Sequence, residues 1–111
     1  METRSIQIDD PVLVEIVRRL AEAFHPERVY LFGSRARGDA GPDSDYDLMV
    51  IVPDSAPPEC RDSRRAYEVL WGIWTAADVL IWTKEAFDSR LHLKASLPST
   101  VLDEGRLLYA A

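Results

Sequence analysis

Polar and apolar positions repeat along this chain with changing periods, and the changes mark the elements. After Asp10, the residues Leu13, Ile16, Val17, Leu20 and Phe24 recur at helical spacing, with Glu15, Arg18, Arg19 and Glu22 on the opposite side. Asp9 or Asp10 can cap this helix, Pro11 suits its first turn, and Pro26 ends it. His25 then reads as a loop residue. Two unbroken apolar runs come next, in Arg28 to Phe32 and Leu48 to Val52, each bounded by Gly, Pro, Asp or Ser, as buried strands are. Pro53 to Pro58, with three prolines, is a loop. A helix is expected from about Glu59 to Trp74, with Ala66, Tyr67, Leu70 and Ile73 or Trp74 turned inward. Ala77 to Trp82 is a strand carrying one carboxylate, Asp78, near its start. His92 falls on an expected helical segment after Phe87. Leu97 to Leu102 reads as a short helix with Pro98 in its first turn and Gly105 ending it, and Arg106 to Tyr109 as a last strand or a docking tail. The expected fold class is α/β: a small mixed β-sheet flanked by helices, on one side, with Trp71, Trp74 and Trp82 in the core, although one exposed Trp could serve a partner surface.

Composition narrows this picture. The 111 residues suit a single domain, 1–111, that is 47% hydrophobic and 29% charged, too apolar for disorder. No apolar run approaches the ~20 residues of a membrane span, and the start of the chain lacks the apolar centre of a signal peptide. The single cysteine, Cys60, has no partner for an internal disulfide, which fits a reducing cytoplasm. A net charge of −6 argues against gripping nucleic acid by bulk electrostatics and is compatible with carboxylates gathered around divalent metal.

The chemistry concentrates between Val29 and Val52. Gly33 allows backbone geometry closed to other residues, and Ser34 can cap a short helix through Arg35, Ala36 and Arg37. A strand, a tight turn and a helix start favour an anion such as phosphate. Most Gly-Ser pairs do no more than begin helices, so the weight comes from the acidic pair downstream. Asp39 to Ser44 is a turn. Asp45 and Asp47 stand two apart at a strand start, so both side chains point to one face and Tyr46 to the other. Carboxylates ~7 Å apart by strand rise can lean together onto metal ions ~3.5–4 Å apart. A lone Asp-x-Asp is usually turn chemistry; here it comes eleven residues after the Gly-Ser turn and runs into five apolar ones.

Gly33-Ser34, Arg35-Ala36-Arg37-Gly38 and Ser44-Asp45-Tyr46-Asp47-Leu48 together resemble the signature of the DNA-polymerase-β-like nucleotidyltransferases, in particular the minimal nucleotidyltransferase (MNT) domains. The resemblance implies that the Gly33-Ser34 turn holds nucleotide phosphates and that Asp45 and Asp47 bind Mg²⁺. It also implies a third carboxylate on a later strand, for which Asp78 is the candidate. A neighbouring strand would set Asp78 beside Asp45 and Asp47, where mutual repulsion of ~4 kcal/mol per pair at an effective dielectric of ~20 calls for a cation. A lone charge on so apolar a strand also needs a partner; the alternative is that Asp78 merely sits exposed at the strand's mouth. Arg35 and Arg37, close to the expected phosphate, would assist; Arg61, Arg64 and Arg65 read mainly as a solvated face. The implied reaction is two-metal nucleotidyl transfer, AMP from ATP, to a hydroxyl. MNT-like proteins are commonly encoded beside a helical HEPN protein in toxin–antitoxin pairs, so a HEPN toxin is the implied partner and its hydroxyl the implied acceptor. The alternatives are an antitoxin that neutralises by binding alone and an enzyme modifying a small molecule.

Overall fold

The structure, a computed structural model, describes residues 8, 10–42, 44–73 and 75–111. Helix α1 (Pro11–Phe24) starts where Asp10 accepts hydrogen bonds from the Val12 and Leu13 N–H groups, at 2.9 and 3.4 Å. The alternative cap, Asp9, lies outside the described residues. Leu13, Ile16, Val17, Leu20 and Phe24 are the buried positions, as their spacing requires. His25 ends the helix in the left-handed conformation, and its N–H closes onto the Ala21 carbonyl at 3.1 Å.

Strands β1 (Arg28–Phe32), β2 (Tyr46–Val52), β3 (Ala77–Thr83) and β4 (Arg106–Ala110) form one sheet in the order β3-β2-β1-β4. β1 pairs antiparallel with β2 and β4, whereas β2 and β3 run parallel. A parallel pair needs a crossover, supplied by a 3₁₀ turn (Pro58–Arg61) and α3 (Ser63–Val69). Between β1 and β2 lies the short α2 (Ser34–Arg37), and between β3 and β4 lie α4 (Lys84–Asp88) and α5 (Leu97–Glu104).

Helices cover both faces of the sheet, not one. Leu48, Val50 and Val52 of β2 pack with α1 and with Ala66 of α3, while Met49 and Ile51 pack with Phe87 of α4 and Val101 of α5. The unbroken run Leu48 to Val52 is wholly buried because each face has its own cover. At roughly 1.5–3 kcal/mol per buried aliphatic side chain, β2 is the stabilising centre of the sheet. On the second face Arg28 bonds Asp88 at 2.9 Å and lies over the Phe87 ring, fastening α4 to β1.

The region after Pro53 departs from expectation in four places. The helix expected from Glu59 to Trp74 is broken at Asp62, whose carboxylate caps a new helix at the Arg64 N–H, and it ends at Val69. Ala66 is buried and Leu70 and Ile73 are partly so, but Tyr67 is half exposed. Trp71 is 85% exposed rather than in the core, because the shorter helix leaves it on the loop beyond; Trp74 lies outside the described residues. Trp82 is partly buried against the second core. His92 sits in turns after α4, which stops at Asp88. No helix among the described residues is long and apolar enough to cross a membrane.

Candidate active site

The antiparallel register sets Phe32 opposite Asp47, so the turn after β1 folds directly over that carboxylate. Gly33 takes φ 73 and ψ −159, a region essentially confined to glycine. A Cβ there would collide with Asp47 Oδ2 and lie 3.1 Å from its Cγ. Glycine is thus needed twice, for its backbone angle and for the space Asp47 occupies. Gly33, rather than Ser34, is the cap of α2, its carbonyl accepting the Ala36 and Arg37 N–H groups at 3.1 Å each. Ser34 is the first helical residue.

Asp45 precedes β2 and Asp47 is its second residue, so strand alternation turns both away from buried Tyr46. The parallel register pairs Asp47 with Asp78 on β3. Asp47 and Asp78 of two adjacent strands, with Asp45 just ahead of β2, thereby share one sheet end. Their coupling is legible in Asp47, whose carboxyl is held above the usual range by burial, then by the charges of Asp78 and Asp45, with Arg37 partly opposing. Asp78 is exposed at the start of an edge strand, so desolvation does not force a partner on it. Its position rests on the register, and the Tyr67 hydroxyl approaches it at 3.5 Å.

Among the described residues no three His, Cys, Asp or Glu side chains are gathered closely enough to enclose a metal ion. The donor set nonetheless has the chemistry of a Mg²⁺ site: hard oxygen ligands, a raised carboxyl that a cation would relieve, and no side chain at Gly33 to fill the space beside Asp47.

The two arginines of the turn have different surroundings. Arg37 is the cation that acts on Asp47, and it also pairs with Asp39 at 3.3 Å and Glu104 at 3.9 Å. Arg35 lies on the other side of β2: its Nε donates to the Ser44 carbonyl at 2.8 Å, and its guanidinium covers the Tyr46 ring at 4.1 Å. The Tyr46 hydroxyl donates to the Asp10 carboxylate. Asp10, Arg35 and Tyr46 therefore clamp the backbone on both sides of Asp45. Sequence reasoning missed this clamp; the available signal was an aromatic between two aspartates facing the helix that Asp10 caps. Arg61 bonds the Ala56 and Asp54 carbonyls, and Arg64 pairs with Asp62.

Beside Asp45 and Asp78 opens a cavity of about 700 Å³, lined mainly by the end of α3 and the loop into β3, with Tyr67, Leu70, Trp71 and Ile73 as its larger side chains. Sequence reasoning did not find this cavity, since it turned Tyr67 inward and put Trp71 in the core unless it was the one exposed Trp.

Comparison with known proteins agrees with the geometry. Residues 13–108 match the family model described as a nucleotidyltransferase domain. Among curated proteins none matches at a significant level. Of solved structures, a toxin–antitoxin with AMP-PNP is 23% identical with a TM-score of 0.63, covering 88% of this chain and 73% of that one. A mutant of the MntA-HpeT toxin–antitoxin gives 19%, a TM-score of 0.61 and the same coverage. A Sulfolobus solfataricus protein described as a nucleotidyltransferase is 28% identical with a TM-score of 0.53, covering 70% of this chain and 69% of that one. With nearly the whole sheet inside the matched span, the chain belongs to the nucleotidyltransferase domain family and has its polymerase-β-like fold.

Proposed function

We propose that the chain transfers AMP from ATP to a hydroxyl of a protein partner, with Mg²⁺, and acts in the cytoplasm as the antitoxin of a HEPN-type toxin. The observation that carries the reading is the juxtaposition of Asp45, Asp47 and Asp78 next to the Gly33 turn. The toxin–antitoxin neighbours, one with an ATP analogue, support the nucleotide and the kind of partner.

Gly33 and Ser34 would hold the β- and γ-phosphates, with Arg37 offsetting charge beside Asp47. Asp45, Asp47 and Asp78 would hold a pair of Mg²⁺ ions, which when bound would supply a lowered pKa at the attacking hydroxyl and charge neutralisation for the departing pyrophosphate. The acceptor oxygen bonds to the α-phosphorus as the bond to the pyrophosphate oxygen breaks, and the electron pair leaves with pyrophosphate. Asp78 accepts the hydroxyl proton and passes it to water.

The test mixes the chain with the protein encoded beside it and MgATP, and reads intact mass. Transfer adds about one AMP, ~329 Da or multiples, to the neighbour. The doubly substituted Asp45→Asn/Asp47→Asn chain is the control and should add nothing. A neighbour that is bound and silenced equally by both forms, without mass change, would make the chain an antitoxin by contact alone.

A further inference from the structure

We propose that Tyr67 is a positioning residue for Asp78: its hydroxyl orients the one carboxylate of the acidic set that the fold leaves otherwise unheld, and so sets the concentration at which the site takes up Mg²⁺. This rests on the metal site of the reading above and adds to it a residue outside the acidic set.

The three carboxylates are held in different ways. Asp47 lies under Gly33, in the space that a Cβ there would take. The backbone around Asp45 is fastened by Arg35, which donates to the Ser44 carbonyl, and by Tyr46, which donates to Asp10. Asp78 has neither device. It is exposed near the start of β3, an edge strand, so no further strand flanks its outer side. A short side chain in such a place can take several staggered rotamers, and only some of them face Asp47. Among the described residues the Tyr67 hydroxyl is the donor that meets it, at 3.5 Å from Oδ1. That bond engages one oxygen and leaves Oδ2 to a cation.

The contact comes from the far side of the sheet. Helix α3 packs through Ala66 against the face of Leu48 and Val50, on which Tyr46 also lies. Strand alternation turns Asp47, and with it Asp78, to the other face. A side chain that joins the two must be long and must pass the open edge of β3, where Tyr67 lines the cavity together with Asp45 and Asp78. Tyrosine suits the task chemically as well. A neutral O–H orients a carboxylate without cancelling the charge a metal needs, as Lys or Arg would.

Tyr67 is itself anchored. Its neighbour Ala66 is fully buried, and Arg19 of α1 donates to the Val69 and Trp71 carbonyls at 3.2 and 2.9 Å, tying off the end of α3. Glu15 holds Arg19 in turn, at 2.8 Å. Through Tyr67, Asp78 is referred to a core helix. Hydrogen-bond partners of metal ligands typically control affinity or activity by roughly 10–100-fold.

The experiment follows melting temperature while free Mg²⁺ is titrated at constant ATP, for wild type, Tyr67→Phe and Trp71→Ala. It also measures AMP transfer to the neighbouring-gene protein over the same range. Tyr67→Phe removes one oxygen and keeps the ring, so its melting temperature in EDTA should match wild type. Its Mg²⁺ midpoint should rise roughly tenfold, and saturating Mg²⁺ should restore the full shift and most of the transfer rate. Trp71→Ala, which alters the same cavity without a bond to Asp78, should keep the wild-type midpoint. A Tyr67→Phe midpoint equal to that of wild type would overturn the assignment, and so would an equal rise in Trp71→Ala. A transfer rate that saturating Mg²⁺ does not recover also overturns it, since Tyr67 would then act on the substrate. Failure of the transfer reading looks different: wild type adds no mass to the protein, yet the Mg²⁺ midpoints stay apart and Tyr67 keeps its role. A wild type whose melting ignores Mg²⁺ overturns both.

Discussion

Asp47 sits under Gly33 and beside Asp78, so burial and two neighbouring carboxylates all oppose its charge. The consequence for stability has a definite sign. A carboxyl raised in the folded state favours folding when protonated, so its contribution is fully present below the unfolded pKa and is lost as pH rises through the folded value. In EDTA at neutral pH, Asp47→Asn should therefore melt at the same temperature as wild type or higher, and that advantage should vanish as the buffer is taken towards pH ~4. Nucleotide transfer by the same variant should collapse, because a ligand charge is gone while the shape remains. A variant that melts lower at pH 7 yet transfers normally would show that Asp47 is a structural residue.

At the scale of elements, the position of Asp45 depends on a clamp built from three separate parts of the chain. Asp10 caps α1, Arg35 belongs to α2 and Tyr46 opens β2, and their contacts bracket Ser44 to Asp47 from the face opposite the carboxylates. Arg35→Lys keeps the charge but loses the planar group that both bonds a carbonyl and lies flat on a ring. It should lower kcat about tenfold, the cost of a slightly misplaced ligand, while the MgATP melting shift persists. An equal loss of that shift would place Arg35 on the nucleotide instead. Most elements were legible because each carried a local signal: the stripe and cap of α1, the apolar runs of β1 and β2, and the lone Asp78 whose parallel register completes the acidic set. What stayed hidden was non-local. Arg19 holds the loop that exposes Trp71, and the second helical layer arises from β4 closing the sheet after α5. The cap at Asp62, which breaks the expected helix at the Arg64 N–H, was by contrast a local signal that went unread. The unbroken burial of β2 was itself a sign of two covers, since a one-sided sheet would alternate.

For the whole molecule, the acidic balance and the site make one physical statement. The chain carries a net charge of −6, and three of its carboxylates meet at one sheet end where, among the described residues, Arg37 is the cation that acts on Asp47. Empty, that end repels itself; on the proposed function, a divalent cation with a nucleotide would remove the repulsion and would bind the folded chain but not the unfolded one. Any such ligand stabilises by mass action, ~2.7 kcal/mol at a hundred times its dissociation constant, or roughly 10 °C in melting temperature for a domain of about this size. MgATP at millimolar concentration should give that shift, and ATP with EDTA should give much less. Asp45→Asn/Asp47→Asn should lose the response although its ligand-free melting point holds or rises. A melting temperature indifferent to MgATP would remove the metal–nucleotide site from this sheet end, whatever the family to which the fold belongs.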